Sequence, residues 1–331
     1  MKALVTGAGG FLGAHVVADL LRKGYEVNAL VRPAAHPPLW GDRVQVFRTD
    51  LRAPSMLTEA LREVDVVVHL AAATGGNEDA QFASTVVGTE NLLAAVAQAR
   101  IRRFVLVSSL VVYDWSKAGH TMDENTPLEG DIYSMGGYAI AKYWQERIVW
   151  RHAKSTGCEL VVLRPGFIWG RGHTTIAGTG RQLGMFHLVI GPRSLLPLTH
   201  VENCAACVTH AAESPDMVGE AFNVTDNDRV SSWRYVGEYI MRSGRRGARV
   251  PVPYWLGSGV AALASLVSRW LFGKTGKLPS ILTPRRFAAQ FKPLHFSTEK
   301  MERVAGWTPP LSFAECLKRT YSPAATDALG N

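Results

Sequence analysis

The residues best suited to proton chemistry in this chain are Tyr138 and Lys142, four positions apart in the sequence Y-A-I-A-K. In a helix this spacing places both side chains on one face, one turn apart. An ammonium group near a phenol favours the phenolate, so we expect Lys142 to lower the pKa of Tyr138 from about 10 toward the working range. Tyr138 could then exchange a proton with a carbonyl or alcohol oxygen that the Ser109 hydroxyl holds by a hydrogen bond.

A second chemical feature is a set of three glycines near the start of the chain, Gly7, Gly10 and Gly13. They follow a short apolar run that predicts a buried strand, and they precede a helix predicted from Phe11 to about Lys23. Glycines allow a sharp turn, close approach of a pyrophosphate, and tight packing of the helix on its strand. The helix N-terminus offers N–H groups to the phosphates. The pattern predicts a dinucleotide site whose nicotinamide exchanges hydride while the tyrosine exchanges the proton.

The end of the second predicted strand indicates which dinucleotide binds. Residues 25–31 predict that strand, and Arg32 follows it. Sites that prefer NAD carry an acidic residue at this point, whereas an arginine can bind a 2′-phosphate. Because no Asp or Glu lies between Val27 and Gly41, NADP(H) is favoured, with NAD(H) left open. The alternative is that Arg32 is an exposed loop residue.

These residues need a scaffold, and apolar runs alternating with helical patterns supply one. Further strands are predicted at residues 44–47, 65–70 and 103–107, and helices near 54–62 and 80–99. Strands that are almost wholly apolar indicate a parallel sheet covered on both faces, with ligands at the carboxyl ends of the strands. The predicted fold is therefore α/β, a Rossmann-type doubly wound parallel sheet with a smaller C-terminal α/β lobe.

Two domains are expected from the length of 331 residues. Residues 1–165 would form the dinucleotide-binding domain, with a strand and a helix contributed by residues from about 200–230. Residues 166–331 would form most of the substrate-binding lobe, including an apolar segment at 250–273.

Taken in order, the motifs resemble those of the extended short-chain dehydrogenases/reductases. The motifs that carry the resemblance are Thr6-Gly7-Ala8-Gly9-Gly10-Phe11-Leu12-Gly13, Asp50-Leu51, His69-Leu70-Ala71-Ala72, Ser108-Ser109 with Tyr113, Tyr138 with Lys142, and Leu163-Arg164-Pro165-Gly166. The resemblance implies a catalytic triad of Ser109, Tyr138 and Lys142, with Lys142 also binding the nicotinamide ribose. It implies that Asp50 and Leu51 lie at the adenine. The full set of expected cofactor contacts is Gly7, Gly10, Phe11, Leu12, Gly13, Arg32, Asp50, Leu51, Leu70, Ala71, Ala72, Ser108, Tyr138, Lys142, Pro165 and Gly166.

Three residues qualify this assignment. Tyr113 and Tyr133 are rival proton donors, but Tyr133 has glycine four positions later and Tyr113 is predicted to lie in a loop. The family's usual asparagine ahead of the V-x-G-T sequence is Thr85 here. That position helps to shape the helix behind the active site, so the resemblance does not extend to the details of the proton relay.

The two residues after the catalytic serine help to indicate the substrate class. Sugar 4,6-dehydratases carry an acid pair there, whereas this chain has Leu110 and Val111, which cannot exchange protons. The C-terminal sequences, including Ile281-Leu282-Thr283-Pro284, resemble the 3β-hydroxysteroid dehydrogenase/isomerase-like branch. That branch acts on bulky apolar hydroxy or keto compounds, which implies a sterol-like, β-keto acid or long-chain substrate.

Residues 250–268 contain no charged side chain, which allows three interpretations. A lid over an apolar pocket is favoured; a helix lying on a membrane surface is the second, and a spanning helix is disfavoured by Pro251, Pro253 and the glycines. Basic residues flank the segment, namely Arg242, Arg245, Arg246 and Arg249 before it and Arg269, Lys274 and Lys277 after it.

Composition excludes several other classes. The net charge is +8, but the basic residues are dispersed and no aromatic-interleaved basic module is present, so no nucleic-acid partner is expected. Four cysteines are too few for a disulfide framework. Cys204 and Cys207 fall in an alanine-rich helical run and His69 at a strand end, so all three are predicted to be packing residues and no metal site is expected. No signal peptide is expected, because the glycine-rich binding sequence begins at Thr6, and a cytoplasmic location is the corresponding expectation.

The predicted function is an NADP(H)-dependent oxidoreductase that interconverts a ketone and a secondary alcohol. The alternative enzyme is a nucleotide-sugar epimerase that keeps NAD tightly bound. A regulatory protein that has lost the chemistry is disfavoured by the intact set of Ser109, Tyr138 and Lys142. The helices near 80–99 and 137–156 often pair in this family, which implies a homodimer.

Overall fold

The apolar runs form a seven-stranded parallel sheet in the computed structural model, which describes residues 1–245, 247–273, 278–279 and 282–322. Arg246, Lys274, Lys277 and Ile281 lie outside these ranges, as do residues 323–331 of the expected lobe. The strands are β1 (Lys2–Thr6), β2 (Glu26–Val31), β3 (Val44–Arg48), β4 (Val66–His69), β5 (Arg103–Val107), β6 (Thr121–Met122), β7 (Glu159–Pro165), β8 (Phe167–Trp169), β9 (Arg181–Leu183), β10 (Phe186–Ile190), β11 (Leu198–His200), β12 (Glu220–Val224), β13 (Ala248–Val252) and β14 (His295–Phe296).

Helices connect most of these strands. They are α1 (Phe11–Arg22), α2 (Leu57–Ala60), α3 (Glu78–Phe82), α4 (Gly88–Ala99), α5 (Gly137–Thr156), α6 (Val201–Glu213), α7 (Ser232–Arg242), α8 (Tyr254–Phe272), α9 (Pro284–Phe291), α10 (Glu299–Ala305) and α11 (Phe313–Tyr321). Short 3₁₀ turns are Leu110–Val112, Ile132–Ser134 and Pro215–Met217.

The large sheet has the strand order β3-β2-β1-β4-β5-β7-β12, with every neighbouring pair parallel. This is the doubly wound order, in which the chain runs outward from β1 in one direction and then from β4 in the other. The register pairs Thr6 with both Leu30 and His69, so the carboxyl ends of the central strands meet at one edge. The predicted α/β class and parallel sheet are confirmed.

Two apolar cores cover the faces of this sheet. One face packs against α1, α6 and α10, and the other against α2, α4 and α5. Cys207 lies in the first core and Cys204 is buried beside it, in agreement with their predicted packing role. The residues from α6 to β12 return to the large sheet, where β12 forms an edge.

The remaining elements form a smaller region of mixed sheets. Strand β10 pairs with β13 in parallel and with β9 in antiparallel, and α8 packs against α9. Two short parallel pairs, β8 with β11 and β6 with β14, connect this region to the large sheet. Within the ranges that the structure describes, no helix combines the length and hydropathy needed to cross a membrane.

One predicted element differs in a way that concerns the site. The helical pattern near residues 80–99 is divided into α3 and α4 by a π-helical turn, Ala83–Val87. The Thr85 side chain in this turn accepts a hydrogen bond from the backbone N–H of Ala73 at 3.0 Å. Insertions of this kind frequently occur at functional sites, and apolar periodicity does not reveal them.

Candidate active site

The glycine turn after β1 has a geometry that only glycine allows. Gly7 has a φ of +70°, and a Cβ atom at that position would lie 3.0 Å from the backbone nitrogen of Ala71. A Cβ atom at Gly13 would lie 2.1 Å from the carbonyl oxygen of Gly7. Gly10 precedes α1 as its N-cap and provides no side-chain cap, so the helix start is open to a ligand. Phe11 and Leu12, both partly buried, form the first turn of the helix.

The turn after β4 lies directly against this glycine turn. Besides the approach of Ala71 to Gly7, the backbone N–H of Ala71 donates to the hydroxyl of Thr6 at 3.3 Å. Leu70 and Ala72 on either side are partly buried. The predicted cofactor residues of β1, α1 and the turn after β4 are therefore brought together at one edge of the sheet.

Gly166 occupies a similarly restricted position at the end of β7. A Cβ atom there would lie 2.0 Å from the carbonyl oxygen of Pro197, and the Gly166 N–H donates to the carbonyl of Val224 at 3.1 Å. Pro165 is buried as the last residue of β7. Because β7 lies next to β5 in the large sheet, the turn after β7 brings the smaller region close to the carboxyl edge.

The far end of the same edge carries charged residues. Asp50 accepts hydrogen bonds from the side chain of Arg52, including one of 2.6 Å, and these lower the pKa of Asp50. The nearby charge of Arg32 lowers it further. Arg32 follows β2 directly and is exposed, while Leu51 is buried. Arg32 thus lies close to Asp50, the acidic residue that is predicted to be at the adenine.

Ser109 and Tyr138 come together at the middle of the edge. Ser109 follows β5, its hydroxyl accepts from the backbone N–H of Val111 at 3.2 Å, and it also bonds to the side chain of Tyr138. Tyr138 is the second residue of α5 and is partly buried. Burial raises the pKa of Tyr138, and the hydrogen bond with Ser109 partly opposes this rise.

The expectation that Lys142 lowers the pKa of Tyr138 is wrong for this structure. The ammonium of Lys142 donates to the carbonyl of Val107 at 2.8 Å and to Oε1 of Gln145 at 2.9 Å. Its pKa falls to about 7 because burial disfavours the charged form, an effect that Glu146 partly opposes. An amine that is itself discharged near neutral pH gives little support to a phenolate.

Gln145 is a residue of the site that the sequence analysis missed. Its amide nitrogen lies 3.0 Å from Nε2 of His69 and donates to the carbonyl of Ala71 at 3.1 Å and to the Thr89 hydroxyl at 3.0 Å. Gln145 therefore connects Lys142 to the turn after β4. Its position three residues after Lys142, on the same helical face, was the signal available in the sequence.

His69 is more than the packing residue that was predicted. Its two ring nitrogens lie 2.6 Å from the Thr6 hydroxyl and 2.8 Å from the Thr89 hydroxyl. Burial lowers its pKa to about 3, and the Lys142 charge contributes, so the ring is neutral at ordinary pH. The strand end, the glycine turn and α5 are thereby joined through one neutral imidazole.

A second buried network begins one residue further along α5. Glu146 forms an ion pair with Arg164 of β7 and accepts a hydrogen bond from the Ser108 hydroxyl at 2.7 Å. Arg164 also donates to the Tyr113 hydroxyl at 2.8 Å. The side chain of Ser108 is thus bonded inside the protein, and the cofactor contact predicted for it stays a prediction.

The two rival tyrosines are in environments unsuited to proton exchange with a substrate. Tyr113 is fully buried, and its hydroxyl is held between Arg164 and the side chain of Asn223, to which it donates at 2.8 Å. Tyr133 is 70 % exposed. Of the three, Tyr138 alone bonds to the hydroxyl of Ser109 in the part of the chain that is described.

The fold and this edge define a class of protein: an α/β protein of the dinucleotide-binding type, with a serine after β5 and a tyrosine and a buried lysine on α5. The sequence profile of the NAD dependent epimerase/dehydratase family matches residues 3–225, and the chain belongs to that family. A nicotinamide dinucleotide is the cofactor typical of the family.

Individual relatives are more distant. The chain is 31% identical over 278 residues to a 4-hydroxy-2-methyl-3-oxo-4-farnesyl-3,4-dihydroquinoline-1-oxide ketoreductase of Stigmatella aurantiaca, covering 82% of each chain. It is 25% identical to a decarboxylating sterol-4-alpha-carboxylate 3-dehydrogenase of Mus musculus, covering 96% of this chain and 90% of that protein. Among solved structures it resembles the UDP-glucuronic acid 4-epimerase of Bacillus cereus, with a TM-score of 0.72 and 20% identity over 97% of this chain and 98% of the other. That likeness concerns the fold.

Proposed function

We propose that the protein is an NADP(H)-dependent oxidoreductase that interconverts a ketone and a secondary alcohol on a bulky, mainly apolar substrate. The observation that carries the proposal is the position of Tyr138 at the start of α5, beside Ser109 and one helical turn from the buried Lys142. A dinucleotide at this edge is supported by the start of α1, where Gly10 leaves the helix N-terminus without a side-chain cap, directly after the turn that the positive φ of Gly7 makes possible.

Each residue of the site has a distinct task in the reaction. A bound nicotinamide supplies or accepts the hydride. Ser109 holds the substrate oxygen by a hydrogen bond, and Tyr138 donates the proton to that oxygen during reduction. The raised pKa of Tyr138 keeps the phenol protonated and ready to donate. Lys142, which donates to Val107 and Gln145, holds the start of α5 in position. It is also available to supply Tyr138 with a new proton after the phenol has donated its own.

The expected preference for NADP(H) rests on Arg32. Its position after β2, exposed and close to Asp50, suits a 2′-phosphate. Replacing Arg32 by alanine is expected to weaken NADPH binding about tenfold or more, because a charge-assisted hydrogen bond is lost. Binding of NADH, which lacks the phosphate, serves as the control. Equal weakening of both cofactors would contradict the assignment.

The apolar nature of the substrate is supported by the surroundings of Tyr138 and by the relatives. Met135, Ala139 and Ile140 form an apolar cluster with Val111, next to the Ser109–Tyr138 pair. The relatives include a sterol dehydrogenase and a ketoreductase of a farnesylated quinoline oxide. We expect NADPH oxidation with sterol ketones or β-keto acids and none with UDP-sugars. Tightly bound NAD without net turnover of NADPH would favour a sugar epimerase.

The decisive variant is Tyr138→Phe, which keeps the ring and removes the proton. Loss of a positioned acid is expected to lower kcat about 10²- to 10⁴-fold, while binding of NADPH, measured by fluorescence, is retained. The matched control is Tyr133→Phe, which removes the same atom from an exposed tyrosine and should leave kcat unchanged. Full activity in Tyr138→Phe would show that another group donates the proton.

A further inference from the structure

Helix α8 has the reverse of the orientation expected for a helix on a protein surface. The stripe that faces the protein consists of small or polar side chains, apart from Tyr254 at its start. Its members are Tyr254, Gly257, Ser258, Ala261, Ala264, Ser265 and Ser268. At Gly257 the approach is so close that a Cβ atom would lie 2.5 Å from the ring of Phe287 in α9. The helix is therefore held against the protein by its small residues.

The outward face carries the large apolar side chains. Trp270 is 83 % exposed and Trp255 is 72 % exposed. The other exposed members are Leu256, Val260, Leu263, Leu266, Val267 and Leu271. At 3.6 residues per turn these eight residues fall within an arc of about 160°. A lid over a pocket would direct such side chains inward, so the favoured interpretation of this segment does not match the structure. Contiguous exposed apolar surface of this kind marks an interaction site.

The charge around α8 indicates what kind of partner it meets. Among the described residues between 239 and 298, seven are Lys or Arg and none is Asp or Glu. Arg242 and Arg285 pair with carboxylates from outside this stretch, but Arg269, in the last turn of α8, adds a positive charge to the edge of the apolar face. A second copy of the chain would bring like charges together, whereas an anionic surface would attract them.

We propose that α8 is a docking helix that lies flat on an anionic lipid bilayer. An apolar face flanked by basic residues is the pattern of helices that lie in the membrane interface. The two tryptophans, near opposite ends and about 22 Å apart at 1.5 Å per residue, suit the headgroup level.

Docking through α8 brings the candidate active site close to the bilayer. Helix α9, which packs on α8, reaches the residues just ahead of α5 through Arg286, whose side chain donates to the carbonyls of Ser134 and Met135 at 3.0 Å. Three residues later the chain reaches Tyr138. A substrate dissolved in lipid would thus have a short path to the site, although the docking itself does not depend on the proposed reaction.

The test is co-sedimentation of the full chain with vesicles of phosphatidylcholine and phosphatidylglycerol at a ratio of 3:1, and with vesicles of phosphatidylcholine alone. We expect binding to the anionic vesicles that decreases as salt increases. Leu263→Glu, which puts a carboxylate in the middle of the outward face, should weaken binding about tenfold or more. The matched control is Leu39→Glu, which introduces the same charge at a leucine that is 95 % exposed elsewhere.

Three results would overturn the proposal. The first is equal binding of the wild-type chain and Leu263→Glu. The second is no binding to anionic vesicles by a chain that stays monomeric in solution. The third is no vesicle binding by a dimer that Leu263→Glu dissociates, which would identify the face as an interface between copies. Because sedimentation needs no turnover, a failed redox assay would leave this result unaffected.

Discussion

Helix α5 directs Lys142, Gln145 and Glu146 into the protein, whereas α8 directs Trp255, Leu263 and Trp270 away from it. In α5 each buried polar group has a partner, such as Gln145 for Lys142 and Arg164 for Glu146. In α8 the outward apolar groups have no comparable packing within the described part of the chain. Buried polar side chains are stable when they have hydrogen-bond or charge partners inside the protein. Large apolar side chains that stay exposed without such packing indicate a binding partner outside the chain.

The largest effect on the unfolding free energy should come from removing the partner of a buried charge in α5. Arg164→Leu leaves the buried carboxylate of Glu146 without its cation and removes a donor to Tyr113. Such losses cost roughly 3–5 kcal/mol of unfolding free energy. Urea denaturation followed by circular dichroism measures the change.

The surface pair of α7 provides the control for that variant. Arg242 lies one turn from Glu238, at 2.8 Å, and both side chains reach solvent. Arg242→Leu should change the unfolding free energy by less than about 0.5 kcal/mol. Similar losses of unfolding free energy in both variants would mean that burial does not determine how much an ion pair contributes to stability. The contrast between α5 and α8 would then fail.

A second prediction concerns the pH dependence that Lys142 imposes. The pKa of Lys142 is about 7 in the folded chain, compared with the ordinary value of 10.5 for a lysine in water. The unfolded chain therefore binds the proton more strongly, and stability due to this group rises as pH increases from about 7 to 10.5. Compared with Lys142→Met, the wild-type chain without cofactor should gain about 2 kcal/mol of unfolding free energy between pH 7 and pH 9.

Gln145→Glu sharpens this test, since it places a carboxylate where an amide now meets the ammonium at 2.9 Å. A neighbouring negative charge favours the charged amine, so the pH-dependent gain should become smaller than in the wild-type chain. Lys142 would be excluded as the source if the unfolding free energy increased with pH by the same amount in the wild-type chain, Gln145→Glu and Lys142→Met.

The sequence predicted the central sheet and its edge because these depend on local patterns. Apolar runs, glycine spacing and the Y-x-x-x-K sequence each fix a short element, and the parallel order brings their ends together. The predicted start of α1 at Phe11 agrees with the structure.

The parts that sequence reasoning missed depend on contacts between distant residues. The pKa of Tyr138 was expected to fall because its spacing from Lys142 was considered, but not the burial of either group. The contact between Gln145 and His69 links residues 76 positions apart. The orientation of α8 was visible in the spacing of its glycines, serines and alanines, yet hydropathy alone shows only that the segment is apolar.

The last prediction concerns α8, where two variants test which face of the helix packs against the protein. Ala261 is fully buried beside Phe287 and Phe291, so Ala261→Leu should overpack the contact with α9 and cost roughly 1–3 kcal/mol. Leu263→Ala, two positions along on the outward face, should alter the unfolding free energy by less than about 0.5 kcal/mol in the absence of lipid. Thermal and urea unfolding of the two variants measure this difference. A large loss in Leu263→Ala would mean that the exposed face already has a partner in the isolated protein, and a negligible one in Ala261→Leu would mean that α8 is not held by its small residues. If both expectations hold, Leu263 contributes little to folding, and its place on an apolar outer face is better explained by what that face binds than by packing within the chain.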